Sequence, residues 1–319
     1  NGKTTAEALE AEFGIQLNGV VEGDTNYHAS IRFPNARSPQ PAPLQIAIES
    51  DLYGIQVNLP APIGKSDEVV LPMSANIEFP TENQIVTAGS LAGDINWRAR
   101  FLKQDSAWDF DRGVLAVGEY PRAADVRGFH IHGQLPALYV HDWLAEGRRG
   151  RWGGGIGERI RSIDLNVERL YVVGQQFSDH RVEVNRSGRD WLIKLSGADA
   201  EGRISVPYDF TAGREMTLEM DRLILPGDEN PRDNQVPLDP RSLPALSIVA
   251  EEFALGERYF GKLEAEFERT DRGLEAGTLK TTDDSFSVSG SAGWIIDADS
   301  ESGQRTFIDA TLTSTNIQQ

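Results

Sequence analysis

The segment that decides the fold reads VEVNRSGRDWLIKL over residues 182–195. Apolar residues alternate with polar ones before its central turn, at Val182 and Val184, and again after it, at Trp191 and Ile193. A period of two places alternate side chains on opposite faces of a β-strand. Because a short turn joins antiparallel neighbours, the segment predicts a β-hairpin with one apolar and one polar face.

The same alternation continues through residues 160–225 and recurs along most of the chain. Further alternating runs lie at residues 27–33, 44–48, 73–79, 95–101, 129–135, 263–267, 286–296 and 307–312. We therefore predict an all-β fold, a long antiparallel meander with one apolar face. Two short helices are expected in addition, at Thr5–Phe13 and at Leu138–Gly147.

A glycine- and arginine-rich segment, GRRGRWGGGIG at residues 147–157, is the sharpest change in composition. It predicts a boundary between a first β-sheet domain, residues 1–150, and a second, residues 151–319, that continues the first. The second half also repeats itself loosely, since the apolar spacing that ends in Val173-Gly174 recurs and ends in Leu255-Gly256. Such a repeat predicts a sheet that is extended by successive meanders rather than a closed globule.

The charge and composition of the chain exclude several classes of function. Of the 319 residues, 31 are Lys or Arg and 49 are Asp or Glu, so the formal charge is −18. This charge disfavours binding to nucleic acid and electrostatic attraction to an anionic membrane. Because the chain has no cysteine, thiolate catalysis, cysteine-ligated zinc and disulfides are excluded. No apolar run reaches about 20 residues, the length that a membrane-spanning helix needs.

The histidines are the first candidates for a metal site. His130 and His132 lie two residues apart on a predicted strand, so both imidazoles are expected on one face, and His141 and Asp142 follow nearby. A histidine pair can ligate zinc or copper, but it needs further ligands. Polar residues on the solvent-facing side of a strand are the favoured interpretation, and we predict no metal.

The acidic motifs do not predict a site either. Asp297, Asp299 and Glu301 are spaced like the start of a calcium-binding loop, but the twelfth position is Ile308 rather than Glu, so the pattern fails. A hairpin tip is the favoured interpretation. The chain contains no nucleophile elbow, no phosphate-binding loop and no zinc-protease motif. We therefore predict that the protein is not an enzyme and uses no cofactor.

Two stretches of the chain resemble a known family. They read SDLYGI at residues 50–55 and LPAPIGK at residues 59–65, and they are similar to a signature in the middle region of the YhdP members of the AsmA-like family. Trp143, LILP at residues 223–226 and DPRSLPAL at residues 239–246 also fit. The following segment, up to the tryptophan at position 294, resembles the C-terminal AsmA-like repeat, so the resemblance covers essentially the whole chain.

The resemblance implies a fold, a location and a class of partner. It implies a protein that is anchored in the inner membrane of a Gram-negative bacterium, with periplasmic, taco-shaped β-sheets that carry phospholipid toward the outer membrane. The implied partners are phospholipid acyl chains, membranes reached through segments outside this chain, and further proteins of the envelope. The chain begins at Asn1 without Met and stops at Gln319, so we expect it to be a piece of a longer protein whose anchor lies elsewhere.

The main hypothesis is therefore a lipid-transfer conduit in which one face of a curved sheet lines a groove for acyl chains. Each buried methylene contributes about 0.8 kcal/mol, so a short lined stretch is enough to hold a tail. Alternation assigns the following residues to the lining: Ile46, Ile48, Val57, Ile77, Trp97, Leu165, Val167, Val173, Ile193, Leu218, Ile248, Leu255, Phe267 and Val288.

The main alternative is a closed β-sandwich that serves as a scaffold or interaction module, in which the same residues form a dry core. Alternation alone favours the sandwich, because half-buried strands usually pack on each other. The family resemblance favours the open groove instead. An outer-membrane barrel is disfavoured, because no aromatic girdles are evident.

Overall fold

The computed structural model describes residues 1–13, 19–34, 42–105, 107–122, 124–143, 159–208, 213–226, 239–300 and 303–314. The described chain consists almost entirely of β-strands, which confirms the predicted all-β fold. It divides into two compact units, Asn1–Leu165 and Asn166–Gln319, and each is described by itself. The predicted domain boundary between residues 150 and 151 lies outside the described residues.

The first unit holds strands β1 (Gly2–Thr5), β2 (Val21–Arg32), β3 (Leu44–Ser50), β4 (Ile55–Val57), β5 (Met73–Thr81), β6 (Gln84–Leu91), β7 (Ile95–Gln104), β8 (Ala107–Val117), β9 (Gly128–Leu135) and β10 (Leu138–Tyr139). Strands β2, β3, β5, β6, β7 and β8 pair in that order as an antiparallel ladder. β1 and β4 both pair with β2. β11 (Ile160–Val172) contains the boundary between the units.

The second unit holds strands β12 (Gln175–Ser187), β13 (Asp190–Ser196), β14 (Ala200–Pro207), β15 (Met216–Leu225), β16 (Leu246–Leu255), β17 (Arg258–Arg269), β18 (Gly273–Thr282), β19 (Phe286–Ile296) and β20 (Gln304–Ser314). Strands β12 to β15 pair in sequence order as an antiparallel ladder, and so do β16 to β20. The hairpin predicted from residues 182–195 is β12 and β13.

Among the described strands, two pairs are parallel, which the prediction of an antiparallel meander did not include. β8 pairs in parallel with β9, and β15 pairs in parallel with β16. The connections at these points, residues 118–127 and 226–245, are longer than the hairpin turns. A parallel pair needs a connection that returns the chain to the end where the previous strand began. Alternation describes the faces of strands and carries no information on the direction of the next strand.

The predicted repeat falls on equivalent turns. Val173 and Gly174 form the turn between β11 and β12, and Gly256 lies in the turn between β16 and β17. Both glycines have positive φ, 76° and 57°, a backbone conformation that glycine adopts without steric cost. Each turn follows the first strand of a five-strand segment, β11 to β15 and then β16 to β20.

The helix predicted at Thr5–Phe13 is confirmed as α1 (Ala6–Phe13). The Thr5 hydroxyl accepts a hydrogen bond of 3.1 Å from the Ala8 amide and so caps the first turn. The second prediction, Leu138–Gly147, is wrong at its start, because its first two residues form β10. Residues 140–143 are helical, and the rest of the predicted helix lies outside the described residues.

Candidate functional site

Apolar side chains lie on one face of the sheet in the second unit. The strand register aligns them in rows that run across neighbouring strands. One row crosses β13 to β18 through Ile193, Ile204, Leu218, Ile248, Ala265 and Leu279. A neighbouring row crosses β13 to β19 through Leu195, Gly202, Met220, Ala250, Leu263, Thr281 and Val288. We call this surface the apolar face of the second unit.

The reverse face of the same strands is polar. Its central row crosses β13 to β19 through Lys194, Arg203, Glu219, Val249, Glu264, Lys280 and Ser289. Most of these side chains are exposed, and Lys194 forms an ion pair with Glu183. The reverse face is therefore suited to water, and the apolar face is the surface that needs a cover.

The apolar face of the second unit is incompletely buried by the described residues. Ile193, Leu218 and Ile248 lie on inner strands of the ladder, yet each keeps part of its surface exposed. On the last strand, Ile308 and Leu312 are 66% and 63% exposed. A second sheet packed against this face would bury such side chains almost completely. Within the described part of the unit, the row through Ile193, Leu218 and Ile248 is therefore partly open. The neighbouring row is buried, with Leu195, Met220 and Leu263 only 8%, 4% and 6% exposed.

The first unit has an apolar face of the same kind. Ile46 pairs with Ile77, and Ile48 lies two residues along the same strand on the same face. Trp97 on β7 pairs with Gly89 on the neighbouring strand β6, and the Trp97 ring occupies the space that a side chain at position 89 would need. These apolar residues are all partly exposed. Glycine at position 89 therefore lets the indole lie flat along the face.

The structure places most of the predicted lining residues on the two apolar faces and the others elsewhere. The register places nine of them on the two apolar faces: Ile46, Ile48, Ile77, Trp97, Ile193, Leu218, Ile248, Phe267 and Val288. Leu255, the last residue of β16, also lies on the apolar face of the second unit and is 46% exposed. Whether any of these side chains contacts lipid stays a prediction.

The remaining predicted lining residues have different surroundings. Leu165 and Val167 alternate on β11 and are only 7% and 1% exposed, so they belong to the packed interior. Val173 lies in the turn after β11 with a positive φ of 48° and is 56% exposed. Val57, on the short strand β4, pairs with Val21. Alternation of apolar and polar residues in the sequence cannot distinguish a buried strand residue such as Val167 from a turn residue such as Val173.

The cationic side chain of Arg186 lies on the apolar face of the second unit. Arg186 pairs with Trp191, and the next pair on the same face is Val184 with Ile193. The Arg186 guanidinium lies 5.7 Å from the centre of the Trp191 ring and 4.6 Å from the centre of the Tyr208 ring. Sequence reasoning assigned Arg186 to a turn and missed it. The signal was available, because Arg186 continues the alternation that starts at Val182.

A buried ion network lies at a bulge between β7 and β8. The Asp111 side chain is 3% exposed and is surrounded by three guanidiniums. Arg100 Nε and Arg112 Nε donate to Oδ2 over 2.7 and 2.9 Å, and Arg127 Nε donates to Oδ1 over 3.0 Å. Burial acts to raise the pKa of the Asp111 carboxyl, but the hydrogen bonds from Arg100 and Arg112 outweigh it and hold the pKa below its ordinary value. Sequence reasoning missed this network, because it joins residues that alternation treats separately.

The histidines that were considered as metal ligands make other contacts. His130 Nδ1 lies 2.7 Å from the Ser162 hydroxyl, and His132 Nδ1 contacts the Glu119 carboxylate. His132 Nε2 accepts a hydrogen bond of 3.3 Å from the Arg122 amide. The two contacts of His132 hold the connection between β8 and β9, whereas the contact of His130 reaches β11. Among the residues that the structure describes, no group of three potential metal ligands is present.

The acidic stretch after β19 forms a hairpin turn. The Asp299 amide donates to Asp297 Oδ1 over 3.1 Å, and the Asp297 amide donates to the Gly303 carbonyl over 3.0 Å. This geometry matches the hairpin-tip interpretation of the sequence. Glu301 lies outside the described residues.

Lys65 joins the two stretches that carry the family resemblance. Its ammonium donates to the carbonyls of Leu52 and Ser66 over 2.9 Å each and also contacts the carbonyl of Ile55. Burial lowers the pKa of the Lys65 ammonium, while the charges of Asp67 and Asp51 act to raise it. The lysine of LPAPIGK therefore fixes the turn formed by SDLYGI.

Replacing Lys65 with methionine is expected to lower the free energy of unfolding by about 2 kcal/mol, because it leaves backbone carbonyls without their donor. Urea unfolding measures this change. The control is Lys194→Met, since the Lys194 side chain is 60% exposed and its ion pair is on the surface. Equal and small effects of the two substitutions would contradict the assigned role of Lys65.

These features define a class of protein: an all-β protein in which each unit has an apolar sheet face that the described chain buries only in part. The chain belongs to the YhdP family, because the family model described as YhdP protein matches residues 1–319. The family resemblance predicted from the sequence is thereby confirmed. The family is one of lipid transport and is not known as a family of enzymes.

The other comparisons add no relative. A search of the curated proteins finds no match, and neither does a search of the solved structures. In the described part of the chain, no helix combines the length and the apolar character needed to cross a membrane.

Proposed function

We propose that this chain is a non-enzymatic part of a lipid-transfer conduit that carries phospholipid through the periplasm between the inner and the outer membrane. In this proposal the apolar faces bind acyl chains, and the polar reverse face of the second unit contacts water. Membrane anchorage comes from a segment outside this sequence, and envelope proteins are the candidate partners. Membership of the YhdP family supports the proposal at the level of lipid transport.

One observation carries the proposal: apolar side chains on inner strands of the second unit remain partly exposed. Together with Ile204, the residues Ile193, Leu218 and Ile248 form a continuous apolar row across neighbouring strands. Each methylene of a bound tail that leaves water contributes about 0.8 kcal/mol, so contact with a few residues of the row outweighs the cost of immobilising the tail. No specific polar site is required, since hydrocarbon presents no hydrogen-bonding groups.

The test compares two neighbouring positions on β15. Leu218 belongs to the apolar row, whereas Thr217 pairs with Ser247 and Ser205 on the reverse face. Leu218→Asp is expected to reduce copurifying phospholipid, measured by mass spectrometry, about tenfold or more, because a carboxylate against hydrocarbon loses its hydration. Thr217→Asp adds the same charge on the same strand and is expected to leave the amount of phospholipid unchanged.

Circular dichroism and thermal unfolding verify that both variants remain folded. Because Leu218 is partly exposed, its replacement carboxylate reaches water in the lipid-free protein, and the variant is expected to fold. If Leu218→Asp fails to fold, Ile193→Asp, paired with Lys194→Asp on the reverse face, repeats the comparison. Absence of phospholipid from the wild-type chain, or its full retention by folded Leu218→Asp, would refute the conduit and favour the closed scaffold.

A further inference from the structure

The arginines around Asp111 lie on the side of the first unit that is opposite to its apolar face. Arg100 pairs with Arg112 across β7 and β8. The residue before Arg100, Ala99, belongs to the row of the apolar face that contains Ile77. Because successive residues of a strand point to opposite faces, Arg100 and Arg112 point away from that row. The arginine cluster is therefore separate from the surface that we propose for acyl chains.

The cluster carries an excess of positive charge. Arg100, Arg112 and Arg127 all pair with the Asp111 carboxylate, so three positive charges face one negative charge, a formal excess of +2. Within the described part of the chain, these arginines pair with no other acidic side chain. Asp125 accepts from Arg112 over 2.8 Å through its backbone carbonyl, which adds no charge to the cluster. In a chain with a formal charge of −18, this cluster is a local cationic site.

The contacts with Asp111 use only part of the hydrogen-bond donors of the three guanidiniums. Arg100 directs Nε and Nη2 at the carboxylate, whereas Arg112 and Arg127 each direct Nε at it. Nη1 of Arg100, Nη2 of Arg112 and both terminal nitrogens of Arg127 have no hydrogen-bond partner among the described residues. The Arg127 and Arg100 side chains are 65% and 33% exposed. Free donors are therefore accessible from water.

The same contacts hold the guanidiniums in position before any ligand binds. Nη1 of Arg112 donates to the carbonyls of Ala124 and Asp125 over 3.2 and 2.8 Å, and it so fixes the connection that carries Arg127. Ordering long side chains in advance lowers the entropy that binding costs. A guanidinium presents its N–H groups in a planar fork that matches the oxygens of a phosphate. The cluster is therefore suited to a multiply charged oxyanion.

We propose that Arg100, Arg112 and Arg127 form a binding site for a phosphate monoester. A monoester carries a charge of about −1.5 to −2 at neutral pH and three acceptor oxygens, so it balances the excess charge of the cluster. A phosphodiester has a single charge and balances only half of it. The monoester can belong to a soluble molecule or to a lipid head group, because the chemistry that the arginines recognise is the same. This site goes beyond the proposed function, since acyl chains do not take part in it.

The test is isothermal titration calorimetry of the full chain with glycerol phosphate, a monoester, and with dimethyl phosphate, a diester. The wild type is expected to bind the monoester about tenfold or more tightly than the diester, because it forms more charge-assisted hydrogen bonds. Arg127→Gln is expected to weaken monoester binding about tenfold or more. The matched control is Arg122→Gln in the same connection, where the side chain is 74% exposed and pairs with Glu119. It removes the same charge and is expected to leave the affinity unchanged.

Circular dichroism verifies the fold of both variants, and Arg100→Gln repeats the comparison if Arg127→Gln fails to fold. Absence of glycerol phosphate binding by the wild type would overturn the site. Equal affinities for monoester and diester, or equal weakening by Arg122→Gln and Arg127→Gln, would overturn it as well. None of these results bears on the binding of acyl chains by the apolar faces, so the two proposals fail separately.

Cosedimentation with vesicles distinguishes the two sources of the monoester. Phosphatidylcholine vesicles that contain phosphatidic acid, a lipid with a terminal monoester, are compared with vesicles of phosphatidylcholine alone. Stronger cosedimentation with the first vesicles that is lost in Arg127→Gln supports the site and assigns it to a lipid head group. Binding of glycerol phosphate without any difference between the vesicles supports the site and assigns it to a soluble ligand.

Discussion

Replacing Asp111 with asparagine is expected to lower the free energy of unfolding by about 3 kcal/mol. The side chain keeps its shape but loses the charge that faces Arg100, Arg112 and Arg127. Removing one member of a buried ion network usually costs about 3–5 kcal/mol, because the remaining charges lose their partner. The lower end applies here, since the three guanidiniums are themselves partly exposed, at 33%, 26% and 65%. Equilibrium unfolding in urea measures the difference.

The control for this substitution is Asp109→Asn, two residues away. Asp109 is 43% exposed and contacts Arg159 over 3.3 Å, so its replacement is expected to cost less than about 1 kcal/mol. The same cost for both substitutions would mean that the Asp111 network does not stabilise the protein.

The stabilisation by Asp111 is also expected to depend on pH. Because the pKa of the folded carboxyl lies below its ordinary value of 3.8, the carboxylate stabilises the fold fully above that value. The stabilisation is lost as the pH falls below 3.8 through the pKa of the folded state. The unfolding free energies of the wild type and Asp111→Asn should therefore converge in strong acid. A constant difference at all pH values would contradict the assignment.

Val167→Asp is expected to unfold the protein, with a loss of more than about 4 kcal/mol. Val167 is 1% exposed, so the new carboxylate would be buried without a positive partner at the centre of a packed strand. The expected result is an unfolded or aggregated chain, measured by circular dichroism and by the temperature of unfolding. The substitution therefore tests stability and not the binding of lipid.

The control for Val167→Asp is the same substitution at the preceding residue. Asn166 is exposed on the opposite face of β11, and Asn166→Asp is expected to change the free energy of unfolding by less than about 0.5 kcal/mol. A folded Val167→Asp protein with a normal unfolding temperature would show that β11 is not part of the interior. The contrast with Leu218, which is partly exposed, separates partly open positions from buried ones among residues that look alike in the sequence.

Alternation predicted the faces of the strands well. Ile193, Leu218 and Ile248 were assigned to one apolar side from their neighbours alone, and the register of β13 to β16 places them in a single row. The prediction succeeds because side-chain direction on a strand depends on the backbone of that strand only. For the same reason it fails at Val173, where the strand has ended and the backbone turns.

The parallel pairs and the Asp111 network could not be predicted in this way. β15 and β16 are separated by residues 226–245, and their relative direction depends on how that connection runs. Asp111 meets Arg100 and Arg127 because a bulge and a parallel strand bring three segments together. These contacts join residues far apart in the chain, and no local period records them.

Local residue order thus predicted that this chain forms β-strands with one apolar side, and its resemblance to a known family predicted the family to which it belongs. Tertiary structure decided which apolar side chains are sealed, such as Val167, and which stay partly open, such as Leu218. The physical reason is that a strand's own backbone sets the direction of each side chain. Burial, in contrast, is set by whatever distant part of the chain packs against it.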